Sequence, residues 1–178
     1  MKALWRWFDA LDDLGRFVAT ATVACSALFL LGQVVLAPWF IEDAAISFAY
    51  ARNIADGLGP VAYAGAEPVE GFSNPIWVMW LALGSLVGCS PWVVSKLTGA
   101  AAGVVTIAVA NRLAWDLLPR EAGWLRAAPG LLLATSAQVQ IWNASGLENS
   151  VFQVLAVTGA GLWFAEQRSD RAPWSAIP

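Results

Sequence analysis

The 178-residue chain contains no histidine. The commonest general base and the commonest zinc ligand are therefore missing, so acid–base chemistry must fall to carboxylates, tyrosines or lysines. One stretch, Glu42 to Trp80, gathers Glu42, Asp43, Asp56, Glu67 and Glu70 with a block of aromatics between hydrophobic runs. A further acid, Glu148, stands between two apolar runs with no base beside it. A charge so placed is costly unless it faces a polar cavity. A carboxylate within hydrogen-bond reach of a hydroxyl can take its proton as the oxygen attacks, which is the chemistry these residue types allow.

The first half of the stretch reads as a helix that starts where the preceding apolar run ends. Glu42 and Asp43 fall in its first turn, where acids complement the positive helix end, and Gly57 and Gly59 stop it. On spacing alone the two acids can be no more than that helix start. At 100° per residue Asp43, Ser47 and Tyr50 share one face, and Arg52 points the opposite way, where it can pair with Asp56 at i+4. Asp43 has no partner on its own helix. Gly, Pro, Ser and Asn then punctuate a loop carrying Glu67 and Glu70, and a Trp-rich stretch opens at Pro75.

Three segments in order carry a resemblance. They are Glu42-Asp43-Ala44-Ala45-Ile46-Ser47-Phe48-Ala49-Tyr50-Ala51-Arg52-Asn53, Val69-Glu70-Gly71-Phe72-Ser73-Asn74-Pro75-Ile76-Trp77 and Ser145-Gly146-Leu147-Glu148-Asn149. The first two resemble the first extracytoplasmic loop of GT-C superfamily glycosyltransferases, most closely arabinofuranosyltransferase-like and mannosyltransferase-like members. The third is similar to that family's Ser-Gly-Leu/Met-Glu-Thr. Glu42 stands where the family has a first Asp, Ala45 where it has an aromatic, and Ala49 where it has an Arg. The resemblance covers the N-terminal portion of such a protein, and the closeness of the chain's end to its last apolar run reads as truncation.

The resemblance implies transfer of a sugar from a polyprenyl-phosphate donor to a hydroxyl of a glycan, lipid or protein acceptor, on the extracytoplasmic side of the plasma (inner) membrane, in cell-envelope glycan synthesis. It implies Asp43 as general base with Glu42 beside it. A phosphate leaving group demands no general acid, only a cation or helix end to offset its charge. Glu70 and Glu148 would position the acceptor or tune Asp43, and Arg52, Tyr50 and Asn74 are further substrate-binding candidates at matched positions. Lys96 has two readings, a side chain snorkelling to headgroups or a cation for a lipid phosphate. Carboxylates alone can hold a metal, but the resemblance argues for a metal-independent reaction with no cofactor beyond the lipid-linked substrate.

Composition sets the frame that must hold these residues. With 58% hydrophobic residues, 13% charged and a mean hydropathy of +0.60, the chain lies far from the soluble norm of about a quarter charged. A net charge of −3 without a basic cluster gives no case for a nucleic-acid partner, and none is expected. Cys25 and Cys89 make neither a disulfide framework nor a metal site. The run from 17 to 40 is too long for a signal peptide and follows Asp9, Asp12 and Asp13, so it reads as a retained span. Leu4 to Leu14, with Trp5, Trp7 and Phe8, reads as an interfacial helix.

Four apolar stretches follow, about 75–88, 91–111, 127–142 and 147–165. The first reaches only about 21 Å as a helix against a hydrocarbon core of about 30 Å. Treated as lying on the outer surface, it puts Arg112, Arg120, Arg126, Arg168 and Arg171 inside and the acids of the loop and Glu148 outside, as the positive-inside rule wants. The expected architecture is all-α: one transmembrane domain of four spans (17–40, 91–111, 127–142, 147–165), both termini cytoplasmic, and a first outer loop over 42–90. Trp77, Trp80 and Trp92 would then sit in an aromatic belt, and Gly99-Ala-Ala-Ala-Gly103 would let another helix approach closely. A non-catalytic membrane scaffold or transporter fragment is the competing class. A transporter needs polar residues deep in its spans, and beyond Thr and Ser this reading finds Gln138 and Gln140.

Overall fold

The structure, a computed structural model, describes residues 11–69 and 71–168, and all regular structure among them is helical. Helix α1, Asp13–Val35, starts before the apolar run because the Asp12 carboxylate accepts from the Gly15 amide at 2.8 Å and caps it. It stops short of the expected residue 40. Pro38 disfavours helical backbone at the residue before it, and 36–38 form a turn. The expected interfacial helix over residues 4–14 falls mostly outside the described residues.

Helix α2, Glu42–Ala55, has no side-chain cap, and its two first-turn acids supply the negative charge that the helix start favours. It ends before Gly57 and Gly59, at φ 77° and 83°. Helix α3, Pro75–Leu86, and helix α4, Pro91–Leu117, both open on a proline, which is pre-set for the first helical position. Gly88 at φ 87° makes the turn between them. The α4 helix outruns the expected residue 111, because an Arg112–Asp116 ion pair of 2.9 Å spans its last turns at i,i+4. A 3₁₀ segment, Arg120–Ala127, leads to α5, Ala128–Thr135, then α6, Ala137–Ala144, and finally α7, Asn149–Gln167.

The expected third span over 127–142 is therefore two short helices. Ser136 is extended between them (φ −69°, ψ 115°), and its hydroxyl oxygen accepts from the Val139 amide to cap α6. The carbonyl freed at Ala134 takes the Gln140 side-chain amide at 2.8 Å. Among the described residues two helices, α1 and α4, are long and apolar enough to cross a membrane, and four spans are not shown. Only 17% and 39% of their apolar windows are buried, so most of that surface faces outward.

Contacts at the helix ends order the chain. At one end Arg120 pairs with Asp12 at 3.2 Å, Arg168 donates to the Asp116 carbonyl at 2.5 Å, and Arg126 folds over the Trp115 ring. At the other, the Ile41 amide donates to the Ser145 carbonyl at 2.9 Å and the Lys96 ammonium to the carbonyls of Trp39 and Ala144. So α1, α4, the α5–α6 pair and α7 run alternately between two ends, and α2 and α3 pack together at the second.

Close approaches explain the glycine-rich face of α4. A Cβ at Gly99 would strike the Asn143 carbonyl, and one at Gly103 the ring of Phe29, which is fully buried on α1. Polar links join the same helices. Asn111 on α4 donates to the Thr22 hydroxyl at 2.8 Å and accepts from the Gly130 amide at 2.7 Å, and Gln33 on α1 donates to the Gln140 side chain at 2.7 Å. Asn111 and Gln33 were not among the polar residues expected in the spans. Both are held by fixed partners, as interhelical hydrogen bonds in apolar surroundings commonly are.

Candidate functional site

The three motifs meet where α2, α3 and the 145–148 turn come together. The face of α2 that bears Ala44, Ser47, Phe48 and Ala51 is buried, and it packs on Trp77, Val78, Leu81 and Ala82 of α3. Burying one face of a helix that carries two acids and an arginine leaves the charged positions outside: Glu42, Asp43 and Arg52 are all exposed. The expected Arg52–Asp56 pair is absent from the ion pairs of the described residues.

Asn74 occupies the cap position of α3, yet its side chain does not cap that helix. Its amide oxygen accepts from the Ser47 hydroxyl at 3.2 Å and its amide nitrogen donates to Glu148 Oε2 at 2.6 Å. One side chain of the second motif thus bridges the first motif to the third. The short distance to Glu148 is that of a charge-assisted bond. Ser47 is buried, Asn74 and Glu148 are half-buried, and Asp43 stands one helical turn before Ser47 on the same face. Two hydrogen bonds and one turn of helix therefore connect Glu148 with Asp43.

The surrounding framework is backbone held by side chains. Trp77 is buried, not in a belt, because its indole nitrogen donates to the Gly146 carbonyl at 3.1 Å. Gly146, at φ 92°, sits against Ala44 and Phe48, and a Cβ there would meet both at about 3 Å. The Ser145 hydroxyl oxygen accepts from the Leu147 amide at 3.2 Å and tightens the turn before Glu148. Trp80 and Trp92 keep exposed surface, and the Trp80 indole donates to Thr98 at 2.9 Å.

The remaining candidates take different places. Tyr50 is buried, its hydroxyl donates to the Val69 carbonyl at 3.2 Å, and its ring meets Phe72 edge-on at 4.8 Å. A Cβ at Gly71 would collide with that hydroxyl, so Tyr50 holds the loop close against α2. Lys96 grips the two chain segments that lead into Glu42 and Glu148. Glu67 is exposed in the loop, and Glu70 lies outside the described residues. No group of three or more His, Cys, Asp or Glu among the described residues is placed to share a metal ion.

Sequence reading singled out Asn74 and Glu148 but missed Ser47, which Asn74 joins to Glu148; its sharing of a helix face with Asp43 was the available signal. Chemically, the arrangement offers an exposed carboxylate in a helix start, a second carboxylate tethered through one oxygen, and an ammonium within the same framework. Comparison of the chain with protein-family models, with curated proteins and with solved structures yields no match.

Proposed function

We propose that this chain belongs to a membrane glycosyltransferase that moves a sugar from a polyprenyl-phosphate donor to an acceptor hydroxyl at the extracytoplasmic face. The single observation that carries the reading is the Ser47–Asn74–Glu148 line of hydrogen bonds, which gathers three separately recognised motifs at one end of the helices. Motifs that merely punctuated loops would have no reason to converge on one another through side chains.

In this reading Asp43 takes the acceptor proton as the oxygen bonds to the anomeric carbon, and the phosphate leaves with the electrons of the bond to the sugar. Exposure at the helix start gives Asp43 access to a substrate hydroxyl. Glu148 and Glu70 orient the acceptor, and Glu42 is an adjacent acid. The exposed apolar face of α3, where Pro75, Ile76, Met79, Trp80 and Leu83 line a shallow groove, lies along the membrane surface. Asn111 bonds to Thr22 and Gln33 to Gln140, which favours structural links between helices over the alternative of a transport path.

The experiment is transfer by the chain, in its full natural context, from a synthetic polyprenyl-phosphate arabinose or mannose to a hydroxyl acceptor, with Asp43→Asn as the comparison. Transfer that is lost in the variant supports the reading; transfer of equal rate in both removes Asp43 from the chemistry.

A further inference from the structure

An asparagine at a helix start ordinarily turns its side chain back onto the amides of its own first turn, which stabilises the helix. Asn74 forgoes that. Its amide is instead drawn outward between Ser47 and Glu148. Both ends of the amide are thereby assigned: only its oxygen can receive the Ser47 hydroxyl, and only its nitrogen can donate to a carboxylate. Glu148 is fixed through Oε2, and Oε1 has no hydrogen-bond partner among the described residues.

We infer that Asn74 is a positioning residue and not a ligand of the substrate: it holds the Glu148 carboxylate at a set place beside α2, with Ser47 fixing the amide's direction, so that Oε1 is the oxygen left for an acceptor hydroxyl. The inference assigns Asn74 a role through Glu148, and the last part rests on the proposed glycosyl transfer. The hydroxyl class follows from the chemistry of a free carboxylate oxygen, which accepts and does not donate. The tether matters because Glu148 ends a turn of only four residues after α6, in which Gly146 is held by Trp77 and Leu147 by Ser145. Without the tether, the side chain alone would set the position of the carboxylate.

The test uses the full chain in detergent or vesicles with Cys89, which is exposed, replaced by serine; Cys25 is buried. Ser145→Cys puts a thiol at a fully buried position of the turn, and its rate of modification by a small maleimide reads how often the turn opens. Asn74→Asp keeps the acceptor for Ser47 but sets an oxygen against Glu148, and it should raise that rate about ten- to a hundredfold, the factor expected on losing a hydrogen bond to a charged group. Combining Asn74→Asp with Glu148→Gln exchanges amide and carboxylate across the same bond and should return the rate to that of the parent. A parent-like rate in the single variant, or no recovery in the double, overturns the tether.

In chains active in transfer from the polyprenyl-phosphate sugar, Ser47→Ala leaves every acid in place and should lower kcat about two- to tenfold with donor KM unchanged. An unchanged kcat overturns the positioning role. A chain that shows the labelling pattern without any transfer overturns the glycosyltransferase reading and leaves the Asn74 tether standing.

Discussion

The indole nitrogen of Trp77 donates to the carbonyl oxygen of Gly146 at 3.1 Å, across 69 residues of sequence. The bond closes the junction of α2, α3 and the 145–148 turn from beneath, and both partners are buried. Trp77→Phe keeps the aromatic body and strands the carbonyl, a loss of about 1–3 kcal/mol. Gly146→Ala adds a Cβ at φ 92° against Ala44 and Phe48. Thermal unfolding in detergent should show both variants with lowered midpoints, and a midpoint equal to the parent's in Gly146→Ala would contradict the packing described.

Asp43→Asn should lower sugar transfer about 10²- to 10⁴-fold, the range for loss of a general base, with insertion and expression intact. Asp43 makes no ion pair in the described residues, so its removal breaks no structural link. Glu42→Gln should cost less. If Glu42→Gln abolished transfer while Asp43→Asn kept it, the two roles would exchange.

Sidedness is open to direct labelling. In intact cells a membrane-impermeant maleimide should react with the exposed native Cys89 and with Glu67→Cys, and should spare Arg120→Cys at the opposite end. Reaction at position 120 but not at 67 would invert the orientation.

Helix contact through Gly99 and Gly103 should be intolerant of size. Gly99→Val meets a backbone carbonyl that cannot step aside, and overpacking of this kind costs about 1–3 kcal/mol or more. Gly103→Ala meets only the Phe29 ring, so pairing it with Phe29→Leu should recover part of the lost midpoint. Equal damage from Gly103→Ala with and without the second change would argue that Phe29 is not the obstacle.

The parts of this architecture that sequence reading captured depend on neighbours a few residues apart. The α2 helix is legible from two acids at its start and two glycines after its end, and α3 and α4 from the prolines that open them. The close approach at Gly99 and Gly103 is legible from their spacing. The parts missed depend on distant partners. Ser136 interrupts a run that reads as one span because the Gln140 side chain takes the freed Ala134 carbonyl and is itself held by Gln33, 107 residues away on α1. Trp77 reads as a belt residue until Gly146 supplies its acceptor. Ser47 and Glu148, 27 and 74 residues from Asn74, carry no local mark of their link. Lys96 reads as a phosphate contact or a headgroup anchor because no spacing rule foretells two backbone carbonyls as its partners.

The interruption at Ser136 bears on biogenesis. A helix that satisfies its own backbone can enter the bilayer alone, as α1 and α4 are built to do, whereas a segment with freed carbonyls is costly in hydrocarbon until partners are present. Here the carbonyl freed at Ala134 is met by Gln140 from within the same segment, and Gln140 is in turn held by Gln33 on α1, as Gly130 is by Asn111 on α4. The turn bearing Glu148 follows directly from α6, so the links that seat α5 and α6 against α1 and α4 also set where the third motif meets the other two.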